Sequence, residues 1–402
     1  MCRTLVIRIG CIVCALALNA CGSGGGSDGT PDYTEPGPAS VGVATTSLTD
    51  SSRGRTLPVE VWYPIAASGA ASDVIDFETD TDRRDALSPL LDAGPAECVA
   101  TTTNATRDAA ATAGEYPVVL YSHCYTCTRW SAHAVMERLA SHGFVVVAPD
   151  HEGDTLFDLI DGTQSPLDNA LVDVREADIR FVLDQVLSGD ALPEGVTANA
   201  SQVGMLGHSI GSVTAGRVAQ NDARIAAVAG LAAPMENILY GEVLMEFITV
   251  PLGLLEATED NSIGEPGNLF INENFSKANT PAYKLDLVDA GHWSVTNIAG
   301  LGGFFMPGCG DDTRQTNGEP FTYVPVESAN GHTATFVTAF FAAHLLNEPA
   351  ALELLAARVE PAVPKFLRRR YRCHLREEQR NVPSRFDLGG SVGGPILGRG
   401  VQ

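Results

Sequence analysis

The stretch from Gln202 to Ala219 constrains this chain more than any other. It reads QVGML, then GHSIG, then SVTAGRVA: an apolar strand-like run, a G-x-S-x-G and a helix-like continuation. A serine in that setting sits on a sharp strand-to-helix turn with its hydroxyl raised above a sheet. Gly207 and Gly211 flank it, as a turn that brings backbones too close for a Cβ requires. The pattern itself occurs twice more, as GGSDG from Gly25 and GGSVG from Gly389. Both lie in glycine-rich segments with no strand before them, where a plain turn is the simpler reading. Ser209 is therefore the candidate nucleophile.

The chain around it alternates. Val41 to Leu48 and Leu57 to Tyr63 are β-branched runs split by SSRGR, which reads as a hairpin. Ala66 to Gly114 is polar and weakly patterned, an expected excursion over the surface. Strands are expected at Pro117 to His123, Phe144 to Asp150, Arg224 to Leu231, Ile248 to Ala257 and Ala282 to Ala290. Helices are expected at Trp130 to His142, from a cap at Asp168 to about Leu187, and at Ala334 to Leu346. In the second of these, Val174, Ala177 and Phe181 form the expected inner face. Strands alternating with helices predict an α/β domain: a mostly parallel sheet, helices on both faces and an antiparallel hairpin at its start. That domain is expected from 41 to 347.

The chain's ends differ from its middle. Arg3 and Arg8 precede an apolar segment, Ile9 to Leu18, too short to span about 30 Å of bilayer. It ends in Leu18-Asn19-Ala20-Cys21, which resembles the lipobox of bacterial lipoproteins. The resemblance implies a signal peptide over 1–20, lipid on Cys21 and export. A Gly/Ser/Pro/Asp tether, 21–40, would follow. An ordinary secretory signal is the alternative. At the other end, 348–402 reads as an extension, and from Pro361 it carries nine Lys/Arg against three Asp/Glu. That basic tail is expected to be partly disordered. The whole chain is at −23, a balance that argues against nucleic acid as a partner.

A serine hydroxyl needs a hydrogen-bonded base, itself oriented by a carboxylate. After Ser209 come His292, His332, His344 and His374. His292, in DAGHWS directly after an expected strand, is the best-placed base. His332 and His344 fall at the start of and within the last helix, where packing or surface roles fit better. ATEDNS supplies the carboxylate just past the preceding strand: Asp260 first, Glu259 second, with Glu236 a weaker third. An oxyanion needs two backbone N–H groups. Ile210, opening the helix after Ser209, supplies one with the helix dipole behind it. The loop after PVVLYSH supplies the other, with Tyr125 the best-placed residue.

Together, VGVATTSLTDSSRGRTLPVEVWYP, PVVLYSH, EADIRFVLDQVL, GHSIG and DAGHWS resemble the dienelactone-hydrolase and platelet-activating-factor-acetylhydrolase-like branch of the α/β-hydrolases. The resemblance covers roughly Val41 to Asn347 apart from the polar excursion. It implies an α/β-hydrolase fold and ester hydrolysis without metal or organic cofactor. It also implies Ser209 as nucleophile, His292 as base, Asp260 as orienting acid, and Tyr125 and Ile210 as oxyanion donors. Phospholipid acetyl-esters, polyesters and amides suit the same constellation as alternative substrates. A surface binding lipoprotein without turnover is the alternative from another class.

One departure stands out. Those relatives carry S-H-G-x-x-G in the oxyanion loop, where this chain has Ser122-His123-Cys124-Tyr125-Thr126-Cys127. In an exported protein a Cys124–Cys127 disulfide could fix the turn that glycines otherwise permit. Pairing of either cysteine with Cys98 or Cys309 is the rival. A metal site lacks further ligands at matching spacing, and redox catalysis lacks a thioredoxin-like context.

Overall fold

The computed structural model describes residues 31–357 and, as backbone, 367–372. The signal segment, Cys21 and the first half of the tether, His374, Cys373 and the rest of the basic tail lie outside the described residues. Chain order begins with β1 (Ser40–Asp50) and β2 (Arg55–Ile65), the hairpin, followed by a 3-10 turn at Val74–Phe77, α1 (Thr81–Ala93) and the short β3 (Thr106–Arg107). Then come β4 (Gly114–Ser122), α2 (His133–Ser141), β5 (Val145–Pro149), α3 (Leu156–Asp161) and α4 (Asn169–Ser188). The centre is β6 (Val196–His208), α5 (Ile210–Asn221), β7 (Ile225–Leu231), β8 (Leu252–Ala257), α6 (Gly264–Lys277) and β9 (Ala282–Leu287). A small β10 (Asp311–Thr313) and β11 (Pro320–Thr322) pair precedes α7 (Val326–Leu345), α8 (Pro349–Ala356) and β12 (Leu367–Arg372).

Ten strands form one sheet in the order β12-β9-β8-β7-β6-β4-β5-β2-β1-β3. Strands β4 to β9 run parallel, while β2 and β12 join antiparallel to β5 and β9. Along β4 the side chains alternate: Val119 and Tyr121 enter one core, Val118 and Leu120 the other. The first core takes α2, α7 and α8, the second α4, α5 and α6. A central strand buried on both faces must read as a near-continuous apolar run, and PVVLY does.

Four expectations need correction. The strand expected from Ile248 starts only at Leu252, because a 3-10 turn at Met245–Phe247 and Pro251 stand before it. The excursion is no mere surface loop: Val74, Phe77, Leu87, Val99 and Ala105 are buried in the first core. On α4 the buried face runs through Leu171, Val172, Arg175, Asp178, Ile179, Val182, Leu183 and Val186, leaving Val174, Ala177 and Phe181 half-buried. Finally, the fold continues past 347, since α8 packs in the first core and β12 adds an edge strand.

Candidate active site

Three loops at the C-terminal ends of parallel strands meet here. The first is the turn after β6. Ser209 adopts φ 57° and ψ −123°, a backbone conformation disfavoured for any residue with a Cβ. Its glycine neighbours are dictated by contact. A Cβ on Gly207 would lie 1.9 Å from the Gly211 carbonyl oxygen, and one on Gly211 would lie 2.0 Å from that of Ser122. The elbow and the end of β4 are thus pressed backbone to backbone.

The second loop follows β8. Asp260 is fully buried, and its Oδ1 accepts from the N–H groups of Ser262 at 3.0 Å and Ile263 at 3.1 Å. Its Oδ2 lies 2.7 Å from Nδ1 of His292, the third loop's residue, just past β9. His292 Nε2 is in turn 2.8 Å from Ser209 Oγ. With the carboxylate holding Nδ1–H, Nε2 is left to accept the serine proton. Such a relay makes a hydroxyl nucleophilic.

The other candidates lie elsewhere. Glu259 binds Arg314 Nη1 at 2.7 Å, and Glu236 binds Lys277 Nζ at 2.5 Å. His332 is half-exposed in the second turn of α7, because that helix starts at Val326 and not near Ala334 as expected. His344 packs against Tyr283 and Phe340. Sequence reasoning passed over His208, whose Nε2–H donates to the His292 carbonyl at 3.0 Å while its ring lies 5.0 Å from that of His292. Burial, with His292 beside it, holds His208 well below its usual pKa, so it packs as a neutral ring. Only its position inside GHSIG could have flagged it. Trp293 stands edge-on to His292 at 4.8 Å.

The loop after β4 lies beside the elbow, since Ser122 pairs with Gly207 across the sheet. Both cysteines of that loop are joined, Cys124 to Cys127, and the rival partners Cys98 and Cys309 are joined to each other. Thr126, inside the bridged turn, takes φ 54°. It is held there by its N–H on Asp154 Oδ1 at 2.8 Å. Among the described residues, neither the Tyr125 nor the Ile210 N–H has an intramolecular acceptor. An oxyanion needs two such unengaged donors.

Comparisons with known proteins agree with this architecture. A family model described as Chlorophyllase matches residues 102–233, a segment that holds Ser209 but neither Asp260 nor His292. Over 122 residues the chain is 31% identical to a probable 1-alkyl-2-acetylglycerophosphocholine esterase of Arthroderma benhamiae. That match takes in 28% of this chain and spans only 30% of the relative's length. Among solved structures, a ferulic acid esterase from Streptomyces cinnamoneus superposes with a TM-score of 0.60 at 24% identity, covering 84% of this chain and 98% of that one. With the strand order and the elbow after β6, that likeness identifies the architecture as the α/β-hydrolase fold.

Proposed function

We propose that this chain is a serine esterase that cleaves carboxylic esters through an acyl-enzyme. The observation that carries the reading is the hydrogen-bonded line Ser209–His292–Asp260, with spacings of 2.8 and 2.7 Å. Ser209 Oγ attacks the ester carbonyl as His292 Nε2 takes its proton. The carbonyl oxygen, now anionic, is received by the N–H groups of Tyr125 and Ile210. His292 then protonates the leaving alcohol, and a water molecule activated by the same ring releases the acid. Asp260 keeps the imidazole in the right tautomer and offsets its transient charge. The two similar proteins named as esterases share a carboxylic ester as the bond they act on.

Export and lipidation at Cys21 belong to the same proposal, supported by Leu18-Asn19-Ala20-Cys21 and the glycine-rich residues after it. The enzyme would then work outside the cytoplasm, tied to a membrane by its N-terminus.

A chain-length series of p-nitrophenyl esters, with Ser209→Ala as control, tests the chemistry. We expect turnover that falls by about 10⁶-fold in the variant, and a fluorophosphonate probe that labels Ser209 alone. Active protein that never reacts with the probe, or label retained in Ser209→Ala, would overturn the assignment. Protein without turnover would favour a binding role instead. Mass spectrometry of the mature N-terminus tests the anchor: lipid on Cys21 supports it, and cleavage elsewhere refutes it.

A further inference from the structure

A second serine–histidine–aspartate line runs beneath the oxyanion loop. Ser122 Oγ lies 3.0 Å from His151 Nε2, and His151 Nδ1 lies 3.1 Å from Asp178 Oδ2. All three are buried, so no substrate reaches them. Its donors can nonetheless be assigned one by one. Arg175 Nη2 donates to Ser122 Oγ at 3.0 Å, and a guanidinium cannot accept. The Asp178 carboxylate can only accept, so a neutral His151 carries its proton on Nδ1 and the Ser122 hydroxyl donates to Nε2. That carboxylate is also held by Arg53 Nη1 at 2.7 Å and Arg55 Nη2 at 2.9 Å. Burial lowers the His151 pKa to about 4, in keeping with a neutral ring.

The line ends at His123. The backbone N–H of His151 donates to His123 Nε2 at 3.0 Å, so that nitrogen carries no proton. The neutral ring must bear its proton on Nδ1, which lies 2.7 Å from the Cys124 carbonyl oxygen. That same carbonyl accepts the Cys127 N–H at 3.2 Å, across the turn closed by the disulfide. The Cys124 C=O and the Tyr125 N–H belong to one planar trans peptide, so they point in opposite directions. Holding the oxygen aims the N–H.

We propose that His123 is a positioning residue for the oxyanion hole: its Nδ1–H, locked by the His151 amide, holds the Cys124 carbonyl and so aims the Tyr125 N–H at the developing oxyanion. The buried Ser122–His151–Asp178 line, clamped by Arg175, keeps His151 and hence that amide in place. This role rests on the ester-hydrolase reading above. It also gives the Ser-His-Cys sequence of this loop a use that glycine in place of Cys124 would not remove, since a backbone carbonyl is the group held.

The test separates aim from fold. His123→Leu removes the donor, whereas His123→Asn keeps an N–H near the position of Nδ1. Losing one oxyanion donor costs about 10²–10³ in kcat, and a donor that is present but loosely aimed should cost about 10- to 10²-fold. We expect that loss in His123→Leu with KM little changed, and recovery of most of the rate in His123→Asn. Affinity for a trifluoromethyl ketone, which adds to Ser209 as an anionic hemiketal, should fall in His123→Leu by the same factor as kcat. Equal rates in wild type and His123→Leu, equal losses in both variants, or a loss confined to KM would overturn the proposal. Should His123→Leu not fold, ¹⁵N NMR of histidine-labelled wild-type protein decides: the proton on Nδ1 of His123 is expected, and a proton on Nε2 overturns it. A wild-type protein that hydrolyses no ester sinks the functional reading alone, and the tautomer still decides the His123 assignment.

Discussion

Asp260 and Glu259 are adjacent carboxylates with opposite surroundings, and the difference yields a sharp test. Asp260 faces His292 and accepts two backbone N–H groups, while Glu259 spends its charge on Arg314 and the Gln315 N–H. Asp260→Asn should lower kcat by about 10⁴-fold, because the amide favours the wrong imidazole tautomer. Glu259→Gln should change kcat by less than about tenfold, since it disturbs an ion pair with Arg314 that does not touch the imidazole. Steady-state kinetics on both variants checks this, and a crippled Glu259→Gln would move the orienting role. Chain order could nominate Asp260 because the end of a strand leaves only a few residues able to turn a side chain back toward the elbow. His208 was passed over, because its place inside GHSIG says nothing of the backbone carbonyl it donates to.

The two disulfides do different work at the level of elements. Cys98–Cys309 spans 211 residues and ties the excursion to the segment after His292, whereas Cys124–Cys127 closes a turn three residues long. In the chain-entropy account the first stabilises by about 5 kcal/mol and the second by about 2. Replacing Cys98 and Cys309 by alanine should therefore lower Tm clearly more than replacing Cys124 and Cys127. The short bridge should show itself in kcat instead, with KM unchanged, because it shares the Cys124 carbonyl's turn. Calorimetry and kinetics on the two double variants separate these effects; a kcat indifferent to loss of Cys124–Cys127 would confine that bridge to stability. Helix α4 carries the other lesson at this scale. Its inner face holds Arg175 and Asp178, so a search for apolar periodicity selects the half-buried stripe next to it.

Across the whole molecule, buried histidines set the response to acid. His151 and His344 are lowered to about 4, and His123 and His208 lie well below the ordinary value, with burial the first cause in each. An unfolded chain takes up these protons near pH 6.5 and the native one does not, so each contributes stability above that pH that is lost as pH falls toward 4. A histidine moved that far contributes up to about 3 kcal/mol. Glu60, raised to about 7, and Asp154, raised to about 6, act oppositely: burial makes them easier to protonate when folded, and they lose stability as pH rises through those values. The histidines, with His142 lowered by burial as well, predict a Tm that falls between pH 6.5 and 4.5, a fall opposed by these two carboxylates and by Glu78 and Glu152, which burial also raises. His344→Leu, far from the serine, should flatten that fall; a slope unchanged by the substitution would show that His344 does not contribute to it.

Local patterning determined the alternation of strands and helices, the β1–β2 hairpin and the elbow at Ser209. Each depends on neighbours a few residues away: a period of two, a period near 3.6, or two glycines astride a serine. The residues expected to work beside Ser209 could be proposed from chain order alone, because parallel strands deliver their C-terminal loops to one edge of the sheet. Only the tertiary structure decided which cysteines pair, which face of α4 turns inward and how far the fold runs past 347. It alone brought His123, His151 and Asp178 together. Those contacts join segments tens to hundreds of residues apart, and their partners are polar groups whose burial is bearable only once every donor has found its acceptor.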